Sequence, residues 1–308
     1  MHIRLENSNL AQLRAIADRS VDTLLLADMG SNKPMLDILS GLLDQNKVRI
    51  QKWDLGDEVL ALHLHEPNTG EHFLVINEKL LAISDEATRK MATKRLFCHE
   101  LSHILLQHPA SFLPPEDGGR DAVFRNTYKS MMQFASNPLI HGSYESEAEI
   151  FSSALGFWPL ETFAKRVRTT KLEFGQIANE FKMPLDCAVK WALIWFRLPM
   201  HYLKYNVSLQ SVEDFFIPSD PDYDLFPWEF RSGNVFKDEG TTACKCMQSG
   251  EDAHGVTKTK LGNKEAAFFC RAIRQKPNPA LWRRDEKIII CGVPNSLTSF
   301  LSDDARQP

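Results

Sequence analysis

The sequence predicts an α+β protein in two parts, and three observations lead there. Apolar residues at helical spacing give way to alternation between Val48 and Asn77. A long apolar helical run then carries two histidines four residues apart, and four of the six cysteines gather beyond residue 240. These patterns predict a first domain over residues 1–203, a linker over 204–228 and a small Cys-rich α/β module over 229–308. In the first domain a small antiparallel sheet precedes the helices. A chain of 308 residues is long enough for one large domain and a smaller one.

At 43% hydrophobic and 25% charged, with a net charge of −4, the composition is that of an ordinary globular protein and argues against a general nucleic-acid binder. Charges at Arg4, Glu6, Arg14, Asp18, Arg19 and Asp22 leave no apolar leader core at the start. No run reaches the roughly 18 apolar residues that a membrane span needs. The expectation is a cytoplasmic protein with no membrane partner, its cysteines reduced or metal-bound rather than paired.

The elements follow in order. Leu10, Leu13, Ile16 and Ala17, then Leu36, Ile38, Leu39 and Leu42, have the spacing of helices. Val48, Ile50 and Trp53 suggest a strand, Val59, Ala61 and His63 a second, and Phe73, Val75 and Asn77 a third after the turn Pro67-Asn68-Thr69-Gly70. Glu71–Glu78 is the candidate edge strand for holding a peptide by strand addition; a purely structural strand is the alternative. A helix is predicted from Asp85 to His108. Pro109–Gly142 is rich in Pro, Gly and Asn, with a helical patch near Tyr128–Ala135, and reads as a lid or a disordered loop. Helices with many aromatic and aliphatic residues follow from Glu161 to Leu198. Gln176–Arg197 has the outline of a helix-turn-helix, but Trp191, Leu193, Ile194, Trp195 and Phe196 leave little polar surface for bases, so packing is the expectation.

The 85–108 helix contains His99-Glu100-Leu101-Ser102-His103, the pattern HExxH. Residues four apart share a helix face, so His99 and His103 can aim ring nitrogens at one ion. Glu100, about 100° further round, sits beside that ion, where its carboxylate can deprotonate a bound water. Zn2+ suits two imidazoles and a carboxylate with one position open, and lowers the pKa of its water to about 7. Leu96, Phe97, Leu101, Ile104 and Leu105 make the helix an interior element, where polar groups need partners. The chemistry points to a zincin-like peptidase domain.

The third ligand is sought in Ser143-Tyr144-Glu145-Ser146-Glu147-Ala148-Glu149. Ser143 is predicted to cap a helix that Pro159 ends, with Glu145 and Glu149 on one face. Glu145 then completes the ligand set, Glu149 accepts a hydrogen bond from a ligating histidine, and Glu147 faces solvent. The plainer alternative is an acidic first turn favoured by the helix dipole.

Together these segments resemble the ImmA/IrrE family of metallo-endopeptidases, in which HELxH is followed by E-x-E-A-N/D-x-F-A-A-x-L-L-x-P. Here the second motif reads ESEAEIFSSALGFWP, with Glu145, Ala148, Phe151, Leu155 and Pro159 in place. Glu149 replaces Asn or Asp, and Ser152 and Ser153 depart around the small-residue pair. The resemblance spans Leu36 to Leu198. It implies a bacterial or phage protease that cleaves a helix-turn-helix repressor and so induces nearby genes.

In the C-terminal module, Cys244, Cys246, Cys270 and Cys291 are candidates for a second, structural zinc, with His254 as a substitute ligand; small buried hydrophobes are the alternative. Lys258, Lys260, Lys264, Arg271, Arg274, Lys276, Arg283 and Arg284, interleaved with Phe268, Phe269 and Trp282, are candidates for contact with single-stranded DNA. A solvated positive face over core aromatics is the alternative. A peptidase with a basic sensor module resembles the CapP proteases, partners of CapH repressors in CBASS antiphage operons. That likeness implies activation by single-stranded DNA and relief of inhibition by a cysteine at the zinc. Cys98 and Cys187 read as packing residues, and the sequence does not choose a blocking cysteine. Tyr128, His141 and Tyr144 are open candidates for oxyanion stabilisation.

The sequence-level expectation is thus a zinc endopeptidase acting on a repressor. Its rival is a non-catalytic zinc-containing regulator that binds nucleic acid or a partner protein, with a small-molecule hydrolase third.

Overall fold

A computed structural model describes residues 10–26, 41, 43–55, 61–66, 68–82, 85–108, 111–112, 138–218, 241–261, 264–277 and 285–295. It is an α+β protein in two compact units, residues 1–3 with 16–160 and residues 4–15 with 161–308. Among the described residues no helix is long and apolar enough to cross a membrane.

Helix α1, Leu10–Leu26, buries Leu13, Ile16, Ala17, Ser20 and Leu24, the single face that its apolar spacing defines. The helix expected around Leu36–Leu42 lies outside the described residues.

The sheet of the first unit comprises β1 (Val48–Trp53), β2 (Ala61–Glu66), β3 (Glu71–Asn77) and β4 (Ser111–Phe112), in the order β1-β3-β2-β4. β2 and β3 form an antiparallel hairpin with Leu64 opposite Phe73 and Leu62 opposite Val75. Gly70 closes the turn at φ +68°, a left-handed conformation, and its N–H donates to the Glu66 carbonyl at 2.9 Å. Leu62, Leu64 and Val75 pack with Leu55, Trp53 and Phe73 on one face. His63, His65 and His72 share the other face.

Two expectations are corrected here. The sheet is mixed rather than antiparallel, because β1 and β4 run parallel to β3 and β2. β3, proposed as a peptide-holding edge, lies between β1 and β2 with its backbone groups already paired on both sides, so it cannot accept a further strand. Alternation identifies strands but does not rank their neighbours.

This unit also holds helices α2 (Glu78–Leu81), α3 (Glu86–Leu105) and α4 (Pro138–Gly156), and residues 43–45 before β1 are helical as well. Asp85 caps α3 by accepting from the N–H groups of Ala87 and Thr88, each at 3.2 Å. α3 buries Ala92, Leu96, Cys98, Leu101, Ser102 and Ile104, while α4 buries Ala148, Ile150, Phe151, Ala154 and Leu155. α4 packs on α3, and Lys94 of α3 donates to the Gly156 carbonyl at 2.8 Å, satisfying the C-terminal end of α4. α4 begins at Pro138, so Ser143 lies inside it and is not its cap. Proline suits a first helical position because its missing N–H has no intrahelical partner there anyway. The Trp158–Pro159 peptide is cis. The helical patch near Tyr128–Ala135 falls outside the described residues.

The second unit has three layers. Its antiparallel sheet runs β6-β5-β9-β8-β7, from β5 (His201–Asn206), β6 (Ser211–Phe216), β7 (Ala253–Leu261), β8 (Lys264–Gln275) and β9 (Lys287–Pro294). One face carries Leu203, Tyr205, Phe268, Cys270, Ala272, Ile288 and Ile290 and packs on Ala243 and Cys246 of α8 (Thr242–Ser249). After α5 (Leu160–Thr169) and α6 (Phe174–Phe181), α7 (Leu185–Ile194) meets the other face through the ion pairs Lys190–Asp214 at 2.8 Å and Lys204–Asp186 at 3.4 Å. Leu185, Cys187, Ala188, Val189, Trp191, Ala192, Leu193 and Ile194 of α7 are buried, so this helix packs rather than reading DNA.

The division therefore falls near residue 160 rather than 203, because α5–α7 belong with the second sheet. Residues 204–216 of the expected linker form most of the β5–β6 hairpin instead, and β5 is an interior strand. An apolar helix reads alike whichever sheet it covers, which is why composition misplaced the boundary. Residues 219–228 lie outside the described residues.

Candidate metal centre

The site is built where α3 crosses α4. His99 Nε2 lies 3.1 Å from Glu145 Oε2, His103 Nε2 lies 3.5 Å from Glu145 Oε1, and the two histidine Nε2 atoms are 3.3 Å apart. Ligand atoms about 2.0–2.1 Å from one ion at tetrahedral angles stand about 3.3 Å from each other, so three such donors fit Zn2+. Among the described residues His99, His103 and Glu145 are the one group of three potential metal donors that converges in this way. The four-residue spacing on α3 puts both rings on one face, and Glu145 approaches from α4.

Glu100 adjoins the triad. Burial pushes its carboxyl up to about 7, opposed by His99 and reinforced by the charge of Glu145. A carboxyl poised there can take a proton and give it back near neutral pH. Burial also holds His103 down at about 3, with His99 adding to the effect and Glu145 opposing it, so the ring is neutral and its lone pair available. For His99 burial again disfavours charge, but the hydrogen bond to Glu145 and the charges of Glu100 and Glu149 outweigh it and raise the pKa.

Outer groups lie beside both rings. Glu149 Oε2 is 3.7 Å from His99 Nδ1, and the same carboxylate takes Arg95 Nη2 at 3.2 and 3.3 Å. Arg95 sits one turn before His99 on α3, a spacing visible in the sequence that motif matching passed over. Glu147, expected to face solvent, instead lies 3.3 Å from His108 Nε2, and His108 Nδ1 lies 3.0 Å from His103 Nδ1. The correction has a local cause. Gln107 takes a left-handed conformation at φ +55°, which folds His108 back beneath the end of α3. Sequence spacing alone does not reveal that turn. The Tyr144 ring rests on His108 with centroids 4.7 Å apart. Tyr128 and the side chain of His141 lie outside what is described.

A second group of imidazoles lies on the sheet, where His63 Nε2 and His72 Nδ1 are 2.8 Å apart and His65 stacks on His72 at 4.6 Å. Burial chiefly, with the neighbouring histidines His72, His65 and His108, lowers His63 to about 3.

Cys98 is fully buried, and burial pushes its thiol up to about 11. It packs in the interior, as its position on α3 predicts. Cys187 is likewise buried. Among the described residues no cysteine joins the triad.

The C-terminal candidates do not assemble. Cys244 and Cys246 are two apart on α8, about 200° round the helix. Cys270 and Cys291 project from opposite faces of the sheet, because Cys270 pairs with Gly292 and Cys291 with Arg271. All four are buried thiols, and among the described residues none belongs to a group of three convergent donors. Among the described residues these four cysteines thus form no common site for the structural zinc expected there. Burial pushes Cys246 up to about 11 and Cys270 up to about 12, as suits neutral packing groups. Cys270 Sγ lies 3.8 Å from His201 Nε2, and a Cβ at Gly292 would meet His201 Cε1 at 2.5 Å, so glycine alone fits beneath that pair. His254 is exposed on β7.

Two of the basic candidates are engaged internally. Arg271 donates to the Lys171 carbonyl at 2.6 Å and pairs with Glu173 at 2.7 Å. Arg274 pairs with Glu286 at 2.6 Å and donates to the Met247 carbonyl, at the end of α8, at 3.4 Å. Both guanidinium groups are thus paired within the fold, a structural role beside the contact expected of them. Lys258 and Lys276 are exposed, the side chains of Lys260 and Lys264 are not described, and Arg283 and Arg284 lie outside the described residues.

No family model matches the sequence, and no curated protein matches it. A solved structure, a Mycobacterium tuberculosis transcriptional regulator, is similar at a TM-score of 0.54 and 12% identity, over 96% of this chain and 93% of that one. At that identity the likeness is one of fold.

Proposed function

We propose that this chain is a zinc-dependent endopeptidase that cleaves a helix-turn-helix repressor and so induces a stress or antiphage operon. The observation that carries the reading is the convergence of His99, His103 and Glu145 beside a carboxyl held near neutrality at Glu100. Zn2+ held by this triad supplies an acidified water and a Lewis acid for a peptide carbonyl. Glu100 takes the proton of the attacking water and passes it to the leaving amine. Glu149, paired with Arg95, places a carboxylate beside the far nitrogen of His99. With β3 interior, a peptide held by strand addition would lie along an edge, β1 or β4.

The resemblance to ImmA/IrrE peptidases supports a substrate among repressors. Activation by single-stranded DNA would draw on the basic candidates whose exposure is described, Lys258 and Lys276. The second reading, a non-catalytic zinc-containing regulator, is favoured by the likeness in fold to a transcriptional regulator.

Glu100→Gln separates the two. It should leave zinc content and fold intact while lowering cleavage of a repressor encoded beside this chain by about 100-fold or more. Undiminished cleavage by the variant would overturn the catalytic assignment. Repressor left intact by the wild-type zinc protein, with gene induction unchanged by Glu100→Gln, would favour the regulator.

A further inference from the structure

We infer that His108, anchored by Glu147, is a positioning residue that fixes the tautomer of the ligand His103. The inference rests on the reading of the triad as a metal site, and it gives a role to His108, which lies outside the HExxH pattern, and to Glu147, the second glutamate of the downstream acidic motif.

The argument is one of proton placement. His103 offers Nε2 to the triad, so as a neutral ligand it must carry its proton on Nδ1. That Nδ1 lies 3.0 Å from His108 Nδ1, and two ring nitrogens so close share one proton. If His103 donates, His108 Nδ1 must be bare and its proton must lie on Nε2. There the Glu147 carboxylate, 3.3 Å away, accepts it. A carboxylate oxygen accepts, so the polarity of the whole chain is set from the Glu147 end. Reversing it would put the His103 proton on Nε2, where it blocks the ion.

The fold holds this chain in place. The His108 N–H donates to the carbonyl of His103 itself at 2.9 Å, so backbone and ring engage the same residue. The His108 side chain is 3% exposed. Tyr144 and Glu147, three apart on α4, grip the ring from one side, the tyrosine by its face and the glutamate by its carboxylate. His99 is served differently, by a direct carboxylate that Arg95 shares. The two ligands thus have unlike supports, one a single carboxylate and the other an imidazole and a carboxylate in series.

The test uses the full chain and zinc alone, with affinity read by chelator competition. His108→Asn places a carbonyl oxygen near the position of Nδ1 and restores an acceptor for His103, while His108→Leu fills the space without one. His108→Leu should weaken zinc binding by about 10- to 100-fold, and His108→Asn should recover most of that loss. A role in packing alone predicts the reverse order, since leucine suits a buried site better than an amide. Wild-type affinity in His108→Leu, or equal losses in both variants, would overturn the inference. Should His108→Leu fail to fold, Glu147→Ala, at a partly exposed position, should still lower affinity severalfold; an unchanged value would overturn it. A wild-type chain that binds no zinc would instead defeat the metal-site reading itself, which keeps the two failures distinct.

Discussion

The two units hold comparable stocks of metal-binding side chains and use them in opposite ways. In the first unit two histidines and a glutamate on crossing helices converge to within hydrogen-bonding distances. In the second, four cysteines diverge, two round one short helix and two on opposite faces of a sheet. The difference teaches that donor count is a poor guide and donor phase a good one. A spacing of four on a helix aligns two side chains, whereas a spacing of two separates them. Buried thiols that do not meet behave as small apolar groups, which their raised pKa values reflect.

The largest effect that would sharpen this contrast concerns the ion. Glu145→Ala should lower zinc affinity by at least about 100-fold, since loss of outer partners alone costs 10- to 100-fold. Replacing Cys244 or Cys291 by serine should leave the metal content at its wild-type value. Metal analysis of the purified chains checks both, and loss of one equivalent in a cysteine variant would break the comparison.

A smaller effect follows from pH in the metal-free protein. Burial holds the fully buried His201 of the second unit at about 3, from an ordinary 6.5. Below pH 6.5 the unfolded chain binds a proton that the folded chain refuses, so stability present above that pH is lost as pH falls toward 3. Between pH 7 and pH 5 this one histidine should cost about 2 kcal/mol, with His63 and His103 of the first unit acting in the same direction and the raised Glu100 and His99 opposing them. Urea unfolding of the chelated protein beside a His201→Gln variant isolates it, and the same pH dependence in both would contradict the assignment.

The smallest effect separates a phosphate contact from a structural one. Arg274→Glu breaks the pair with Glu286 and the bonds at the end of α8, and should destabilise the second unit by about 1 kcal/mol, the scale of a partly exposed pair. Lys258→Glu, at an exposed position, should leave stability unchanged. If it nonetheless weakens single-stranded DNA binding, the electrostatic footprint lies on the exposed lysines rather than on the arginines.

Residue spacing alone was enough to place α1, the β2–β3 hairpin, the helix from Glu86 to Leu105 and the pairing of His99 with His103. Each depends on a local period, 2.0 or 3.6 residues, that the chain carries in its own order. It also singled out Glu145, although nothing local requires α4 to cross α3 there; the resemblance to a known pattern supplied that link. Tertiary structure decided the rest. It placed β3 inside its sheet rather than at an edge, joined α5–α7 to the second unit and turned the start of a supposed linker into an interior strand. It folded His108 back under His103, brought Glu147 in from its expected solvent position and committed Arg271 and Arg274 to internal carboxylates. All of these depend on partners distant in sequence, and a periodic pattern records which face of an element is buried without recording what buries it.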